Sequence, residues 1–464
     1  VMESIFHPLS LALLLIYSLQ TAGAGPLPAI GLPKPNIVMI MADDLGIETM
    51  GSYGGTPYKT PNLDRLAAKG ARFEHCYAQP ICTPSRVQLM TGQYNVRNYA
   101  KFGLLPRDEV TFAHKLKAEG YATCIAGKWQ LGRQKDAPQH FGFEEALLWQ
   151  HTRDGRMNID GTRVDKRYEN PILEKNGEPL AYNGGEFAPD LMVDFILDFI
   201  ARKAQQPFLV YYPMILTHCP FVPTPHSEDW DPSSAGSPTY KGDKAYFGDM
   251  VEYVDHLVGK IEAELKRHGL LENTYLIFTG DNGTDRSILS TLDDQPFPGR
   301  KGTLTDGGTH VPLIVSRPGT VPAKVHNELI DFSDFLPTLC EIANISTDGL
   351  TLDGSSFLPQ LHGETGNPRE FVYCWYNRDM EPGKTQVTAR NQRYKLYEGG
   401  KFYDVQNDLQ EKQPLTTDSL TPEQVAIKGE LQDVLDHYGQ FDRLAQVIDC
   451  LLYTSPSPRD TPQS

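Results

Sequence analysis

Apolar residues in this chain fall into short uninterrupted runs separated by longer amphipathic stretches. The first run, Asn36–Ala42 (NIVMIMA), is followed at once by two aspartates, and similar runs occupy residues 121–126, 208–212, 274–279 and 312–316. Runs of this length are typical of strands buried on both faces of a parallel sheet. Helical patterns lie among them, including 61–70, which ends at a glycine, and 248–267. The alternation predicts an α/β fold with a large mixed, mostly parallel sheet between helices.

The pattern changes past about residue 360, where apolar segments become short and are separated by turns. Segments 370–376, 393–397 and 401–404 indicate a small antiparallel sheet, and a helix is predicted over about 421–438. We therefore assign residues 36–360 to the α/β domain and 361–445 to a smaller C-terminal antiparallel β subdomain with a helix. Residues 446–464 are rich in proline and serine, and we expect them to be a disordered or non-native tail.

The N-terminal residues have the pattern of an export signal. An apolar stretch at 9–19 precedes the small residues Ala22, Gly23 and Ala24, although no lysine or arginine comes before it. We expect a signal peptide over 1–24 and a Pro/Gly-rich linker over 25–35, with a buried N-terminal helix as the alternative. This predicts a secreted or periplasmic protein, and no other apolar segment is long enough for an integral membrane span.

Composition restricts the kinds of ligand. The 464 residues include 40% hydrophobic and 22% charged residues, which is ordinary for a globular protein. A formal net charge of −16, without any basic run, argues against nucleic acid as a partner. An anionic substrate would have to be attracted by a few cations gathered at one place. The seven cysteines show neither a metal-type spacing nor a dense disulfide framework.

Oxygen-bearing side chains follow two of the predicted strands. Asp43 and Asp44 come directly after the first run, and Asp281 and Asn282 come just after the run at 274–279. Open α/β sheets build their sites beyond the carboxyl ends of strands. Carboxylate and amide oxygens suit Ca²⁺ or Mg²⁺ and not Zn²⁺. Either pair alone could equally be turn or helix-cap chemistry.

A third motif connects these pairs. Residues 81–92, ICTPSRVQLMTG, place a cysteine four residues before an arginine, with proline and serine between them. With this motif the chain resembles the type I (formylglycine-dependent) sulfatases, arylsulfatase-like members of the alkaline phosphatase superfamily, whose signature is C-x-P-S-R followed by a small apolar segment and Thr-Gly. Further matching motifs, in the family's order, are GKWQLG at 127–132, Thr217-His218, GDNG at 280–283 and KGTL at 301–304. The resemblance extends from about residue 35 to 410.

The resemblance implies a sulfuric ester hydrolase of alkaline phosphatase-like fold. Cys82 would be oxidised by a separate formylglycine-generating enzyme, and the hydrate of the resulting aldehyde would be the nucleophile. The cofactor implied is one Ca²⁺, with Mg²⁺ as the less favoured ion. The metal ligands carried over are Asp43, Asp44, Asp281 and Asn282, together with modified Cys82. The catalytic residues carried over are Cys82, Arg86, Lys128, His218 and Lys301.

Chemistry explains why these residue types are needed. Arg86 would lie one turn after Cys82 if a helix starts there, where it can meet the hydrate or a metal-bound carboxylate. Lys128 and Lys301 would hold sulfuryl oxygens, because negative charge builds as the S–O bond breaks. His218 would give a proton to the departing alcohol.

Two positions depart from the family pattern. Gln130 stands where the second motif usually has a histidine, which is associated with deprotonating the hydrate and expelling sulfate. A glutamine forms hydrogen bonds but does not titrate. Another group, a carboxylate or water, would then serve that step, or turnover would be slow. His310 stands where relatives often carry arginine, and the sequence offers no reason for that change.

Three functions remain open from the sequence. The first is a sulfatase acting on a sulfated small molecule or glycan, and the second is a phosphate or phosphonate monoester hydrolase of the same superfamily. The third is a sulfated-glycan-binding protein with impaired catalysis, suggested by Gln130 alone. Residues 149–189 are a candidate substrate-recognition insertion or a solvated loop. Its basic residues are His151, Arg153, Arg156, Arg163, Lys166 and Arg167. The sequence does not predict the oligomeric state.

Overall fold

The computed structural model describes residues 34–153, 164–442 and 444. The predicted signal peptide, the linker up to residue 33 and the predicted tail lie outside these residues, as do Arg156 and Arg163. Among the described helices, none combines the length and apolar character needed to cross a bilayer.

A ten-stranded sheet forms the centre of the fold, in the order β12-β2-β11-β8-β1-β7-β3-β4-β5-β6. Neighbouring strands are parallel from β8 through β1, β7 and β3 to β4, whereas β11 runs antiparallel to both of its neighbours. Its strands are β1 Asn36–Ala42, β2 Ala71–Tyr77, β3 Ala122–Gly127, β4 Glu145–Trp149, β5 Ile172–Lys175, β6 Glu178–Ala181, β7 Phe208–Pro213, β8 Thr274–Gly280, β11 His310–Ser316 and β12 Lys324–Asp331. The hairpin β9 Leu289–Leu292 and β10 Gln295–Pro298 stands apart.

Helices cover both faces of this sheet, as the continuous apolar strands predict. Along β1, Ile37, Met39 and Met41 belong to one apolar core, while Val38 and Ile40 belong to another on the opposite face. The helices are α1 Pro61–Lys69, α2 Cys82–Thr91, α3 Asn95–Asn98, α4 Phe112–Ala118, α5 Ala137–His140, α6 Ala188–Lys203, α7 Phe247–Arg267, α8 Asp306–Thr309, α9 Phe335–Ile342, α10 Leu358–Leu361 and α11 Pro422–Gly439. The prediction of a mixed, mostly parallel sheet between helices is confirmed.

A second, antiparallel sheet follows in the C-terminal part, in the order β13-β14-β15-β16. Its strands are β13 Val372–Tyr376, β14 Gln386–Arg390, β15 Tyr394–Tyr397 and β16 Phe402–Asp404. Three of them lie where the sequence predicts strands, and α11 contacts β14 and β15. The strand β14 escaped prediction because its sequence, QVTAR, has only one large apolar side chain.

Candidate active site

Strand pairing places the predicted metal ligands side by side. Strands β1 and β8 are adjacent and parallel, with Ala42 opposite Gly280, so the next residues, Asp43 and Asp281, leave the sheet together. The Asp44 amide donates a hydrogen bond to Asp281 Oδ1 at 3.0 Å. The Asn282 side-chain amide donates to Asp44 Oδ1 at 2.8 Å. The register of the sheet therefore brings both motifs into one cluster.

The donor atoms of this cluster fit a hard divalent cation. Ligand atoms of Asp43, Cys82 and Asp281 lie within 4.8 Å of one another. Asn282 Oδ1 is buried without a hydrogen-bond partner among the described residues, while its amide nitrogen donates to Asp44 Oδ1 and to the Gly283 carbonyl. A buried oxygen left free beside three buried carboxylates is what Ca²⁺ or Mg²⁺ binds.

Burial and mutual proximity shift the pKa values of the clustered acidic side chains. Burial and the neighbouring Asp43 carboxylate raise the pKa of Asp281 to about 7. Burial also raises the pKa of Asp44. Asp43 behaves differently: although burial opposes it, the cations of Lys128, Arg86 and Lys301 hold its pKa below the usual value. A cation among these groups would favour the ionised form of all of them.

Cys82 is the first residue of α2, a helix whose ten residues are all buried. The preceding turn is fixed by Ser85 Oγ, which accepts a hydrogen bond from the Gln79 amide at 3.1 Å. The helix ends at Gly92, which has a left-handed φ of 69°. The Cys82 side chain is only 2% exposed, and burial raises the pKa of its thiol despite nearby Lys128 and Lys301. The unmodified thiol is therefore protonated at neutral pH, which makes it a poor nucleophile.

Arg86 lies one helical turn after Cys82, as the sequence predicts for a helix that starts there. Its Nη2 lies 2.9 Å from Asp281 Oδ2, and its Nη1 donates to the Lys128 carbonyl at 2.9 Å. Of the two predicted partners, the structure gives Arg86 the carboxylate, that of the predicted metal ligand Asp281. The arginine thus joins α2 to the ends of β8 and β3.

Lys128 and Lys301 meet the acidic cluster from two sides. Lys128 follows β3, and its Nζ lies 2.7 Å from Asp43 Oδ2. Lys301, in the loop after β10, lies with its Nζ 2.6 Å from Asp44 Oδ2. Both ammonium groups line the cavity that opens above Cys82. They neutralise the carboxylates and face the space where an anion would enter.

His218 is held as a neutral imidazole. It lies in the loop after β7, with Nε2 3.9 Å from Asp44 Oδ2. Burial, together with the cations of Lys301, Arg167 and Lys128, holds its pKa well below the usual value. The guanidinium of Arg167 contacts His218 Nδ1 and donates to the Cys219 carbonyl at 2.6 Å. His218 can therefore donate a hydrogen bond, but it is not a cation in the substrate-free protein.

A cavity of about 460 Å³ opens directly onto this constellation. Its lining comprises Ile81, Cys82, Phe102, Lys128, Gln130, Arg133, Trp149, Arg167, His218, Tyr240, Lys301 and Arg378. Gln130, with a left-handed φ of 56°, has a buried Oε1 without a partner among the described residues. The described lining contains no carboxylate that could replace the missing histidine as a base.

Of the basic residues in the candidate recognition insertion, some line the active-site cavities and others pack inside the protein. Arg167 is buried in the active-site cavity, where its guanidinium carbon lies 4.1 Å from the centre of the Trp149 ring. His151 Nδ1 lies 2.7 Å from Glu174 Oε2, inside the protein. Arg153 is 3.9 Å from the same carboxylate and lines a neighbouring cavity. The reading of the whole insertion as a solvated loop is therefore wrong for Arg167 and His151.

Several cavity residues carried no signal in the sequence. Tyr240 and Arg378 come from irregular segments far apart in the chain, and only the fold brings them to His218 and Phe102. Arg133 directly follows the GKWQLG motif, so proximity to that motif could have suggested it.

The departure at His310 has a structural explanation. Its Nε2 donates to the Glu74 carbonyl at 2.7 Å, and its ring stacks on Tyr77. Burial lowers the pKa of His310 to about 4, so it carries no charge at neutral pH. The nearby Asp306 carboxylate is instead paired with Arg390 Nη1 at 2.6 Å. Arg390 on β14 thus supplies the positive charge that an arginine at position 310 would bring.

Comparisons with known proteins agree with this geometry. The model of the sulfatase family matches residues 35–345. The chain is 33% identical to arylsulfatase A of Bos taurus over 395 residues, which cover 78% of this chain and 74% of the relative. It is 32% identical to N-acetylgalactosamine-6-sulfatase of Canis lupus familiaris over 398 residues, covering 77% and 72% respectively.

Solved structures share the fold. One similar structure is that of Ps i-CgsB in complex with k-i-k-neocarrahexaose, with a TM-score of 0.73 at 23% identity, covering 91% of this chain and 98% of that one. At this identity the likeness concerns the fold alone, which is the alkaline phosphatase-like arrangement expected from the motifs.

Proposed function

Because the chain belongs to the sulfatase family and is a sulfatase, we propose that it hydrolyses sulfate monoesters of glycans with a formylglycine derived from Cys82 and a bound divalent cation. The observation that carries this proposal is the position of Cys82. Its buried, protonated thiol lies beside the carboxylates of Asp43 and Asp281 and the ammonium groups of two lysines, where a thiol has no evident use. A hydrated aldehyde at the same point would offer a hydroxyl to an incoming sulfate.

The cation would be held by Asp43, Asp44, Asp281 and Asn282, with the modified Cys82 as a further oxygen ligand. When bound, it would supply Lewis-acid polarisation of the sulfuryl group and lower the pKa of the attacking hydroxyl. We favour Ca²⁺ because this site offers several buried oxygen donors and one neutral amide oxygen.

The protein's own cations orient the ester. Lys128 and Lys301 lie on the cavity wall beside Cys82, so they would hold sulfuryl oxygens as charge develops on them. Arg86 is buried behind Asp281 and acts by positioning that carboxylate. Removal of water by the enclosed site would strengthen each of these interactions.

His218 would assist the leaving alcohol. In the substrate-free protein it is neutral and can donate only a hydrogen bond. The anionic sulfate ester would favour the protonated ring when it binds, so His218 would take up a proton from solvent and, as an imidazolium, give it to the departing oxygen when negative charge builds there. Arg167 holds the far side of the ring and sets its orientation.

The final release of sulfate would proceed without a histidine at position 130. Gln130 can hold the hydrate by hydrogen bonds but cannot accept its proton. Because the described cavity lining contributes no other carboxylate, we propose water as the base and a correspondingly slow release step.

A glycan substrate is favoured by the size of the opening and by the relatives. The cavity of about 460 Å³ is larger than one sulfate needs and is lined by the aromatic rings of Phe102, Trp149 and Tyr240. Relatives at about one-third identity include an N-acetylgalactosamine-6-sulfatase. Export, predicted from residues 1–24, would bring the enzyme to extracellular sulfated glycans.

The test begins with peptide mass spectrometry across Cys82, on protein made with an active formylglycine-generating enzyme. We expect a mass loss of about 18 Da at Cys82, the difference between a thiol and an aldehyde side chain. Hydrolysis of 4-nitrophenyl sulfate should accompany it and disappear in Cys82→Ala, whereas the control Cys340→Ala on α9 keeps both. Faster hydrolysis of the phosphate ester would favour the phosphatase alternative. Binding of a sulfated glycan without hydrolysis by fully converted protein would favour the non-catalytic one.

A further inference from the structure

A second cavity opens beside the one that contains Cys82. It has a volume of about 470 Å³ and shares Phe102, Lys128, Gln130, Arg133 and Trp149 with the first. The residues that line only the second cavity include Lys101, Leu104, Gln150, His151 and Arg153. Because the two cavities have five wall residues in common, they form one continuous cleft leading away from the nucleophile.

The wall of the second cavity is basic in a protein that is acidic as a whole. Its described lining includes Lys101, Arg133 and Arg153 and no carboxylate, although the chain carries a formal charge of −16. Lys101 and Arg133 have no carboxylate within 4.0 Å among the described residues. Among the described residues, the carboxylate of Glu174 lies 3.9 Å from Arg153. Within the described residues these cations are therefore less closely compensated than Lys128, whose ammonium group lies 2.7 Å from Asp43 Oδ2.

Neutral groups of the same wall also lack partners. Gln150 Oε1, Gln130 Oε1 and Trp149 Nε1 are buried without a hydrogen bond to any described residue. Buried polar groups in native proteins nearly always have a partner, so these atoms point to a ligand or ordered water. Amide groups beside the flat rings of Trp149 and Phe102 suit a sugar, which offers hydroxyl groups at its rim and C–H groups on its face.

From these features we propose that the second cavity binds a further anionic group of the substrate, a sulfate or a carboxylate on the same or an adjoining sugar. The substrate would then be a polyanionic glycan. This inference rests on the proposed function, since it places the second anion relative to the sulfate attacked at Cys82. The cleaved sulfate meets Lys128 and Lys301, which leaves Lys101, Arg133 and Arg153 for the second charge.

The experiment compares sugars that differ in one anionic group, as inhibitors of 4-nitrophenyl sulfate hydrolysis. The probes are N-acetylgalactosamine 6-sulfate, its 4,6-disulfate, and a 6-sulfated disaccharide with a neighbouring uronate. The variants are Lys101→Gln and Arg153→Gln, singly and together, because both residues line only the second cavity. Lys401→Gln, an exposed lysine on the turn before β16, is the matched control.

We expect at least one doubly charged probe to inhibit the wild-type enzyme about tenfold more tightly than the monosulfate, a gap typical of one charge-assisted contact. The double variant should lose this gap, while its kcat/KM for 4-nitrophenyl sulfate stays within about twofold of wild type. The stronger of the two doubly charged probes identifies sulfate or carboxylate as the preferred group. Equal inhibition by all probes, or a gap that survives the double variant, overturns the proposal.

Failure of the proposed function would be recognised separately. If fully converted wild-type enzyme does not hydrolyse 4-nitrophenyl sulfate, the sulfatase mechanism is wrong. The same three probes are then titrated calorimetrically into the wild-type protein and the double variant. Tighter binding of a doubly charged probe by wild type alone still supports the second site, and equal binding refutes it.

Discussion

Arg86 Nη2 lies 2.9 Å from Asp281 Oδ2, and both side chains are almost completely buried. This ion pair connects the helix that begins with Cys82 to the strand end that supplies the acidic cluster. The pair compensates one of the three carboxylates of the acidic cluster, whereas Lys128 and Lys301 are paired with the other two. Under the proposed function Asp281 would also be a metal ligand, so stability, metal binding and catalysis would be coupled at this contact.

Replacement of Arg86 by methionine should destabilise the metal-free protein strongly. Methionine fills similar space but leaves Asp281 buried without its counter-charge, which typically costs about 3–5 kcal/mol. We expect the free energy of unfolding in EDTA, measured by urea denaturation, to fall by about this amount. In saturating Ca²⁺ the loss should be smaller. The double variant Arg86→Met, Asp281→Asn should recover part of the loss in EDTA, and an unchanged double variant would show that the pair is not the cause.

Removal of the metal should lower the melting temperature, because the acidic cluster then loses a counter-charge. Ca²⁺ should restore the melting temperature at lower concentration than Mg²⁺, since the latter is reluctant to lose its water ligands. Asn282→Ala should weaken Ca²⁺ binding in a calorimetric titration about tenfold, and the exposed-site control Asn367→Ala should leave it unchanged. Equal Ca²⁺ affinity in wild type and Asn282→Ala would contradict the assignment of Asn282 as a ligand.

The free energy of unfolding should depend on pH through the titration of the buried Glu48. Burial raises its pKa to about 7 from the ordinary 4.5, and the nearby Thr284 hydroxyl offsets only part of this. The folded state thus holds the proton more tightly than the unfolded chain. The loss of stability caused by ionised Glu48 is therefore absent below about pH 4.5, grows as the pH rises and is complete above about pH 7. Glu48→Gln should therefore stabilise the protein by roughly 3 kcal/mol at pH 8 and by little at pH 5. Denaturant midpoints at both pH values, with exposed Glu364→Gln as control, measure it. A gain that is equal at pH 5 and pH 8 would refute the titration of Glu48.

Gln130→His should accelerate steady-state turnover if sulfate release is slow for lack of a base. We expect wild-type enzyme to show a burst of 4-nitrophenol followed by a slower phase, because the first chemical step does not use residue 130 as a base. The histidine variant should lose the burst and gain several-fold in kcat. Multiple turnover at the same brisk rate in both proteins, without a burst, would show that Gln130 does not limit the reaction.

The sequence predicted the parts of this protein that depend on short, strongly patterned segments. Strands such as β1 and β8 are continuous apolar runs because they are buried on both faces, and the polar residues at their ends are clustered by strand register. The four-residue spacing in the motif placed Arg86 one turn after Cys82 on condition that a helix starts at the cysteine, and helix α2 does start there.

Other parts of the site depend on long-range packing that no local pattern records. Arg378, before β14, and Tyr240, in an irregular loop, reach the cavity only because the small sheet and the loops after β7 fold over it. The neutral state of His218 depends on cations from three separate segments and on burial of the ring. The role of Arg390 beside His310 likewise needed the position of β14. Contacts between residues so far apart in the sequence are decided by the tertiary fold.

The burial of α2 has a consequence for the timing of maturation. All ten residues from Cys82 to Thr91 are covered by the surrounding protein, and Cys82 itself has 2% of its surface open to solvent. Under the proposed function a separate enzyme would have to reach this thiol, and opening a buried helix of this kind costs much of the folding free energy. Under the proposed function, conversion of Cys82 would therefore have to precede folding. A molecule that folded first would keep its thiol for as long as it stayed folded.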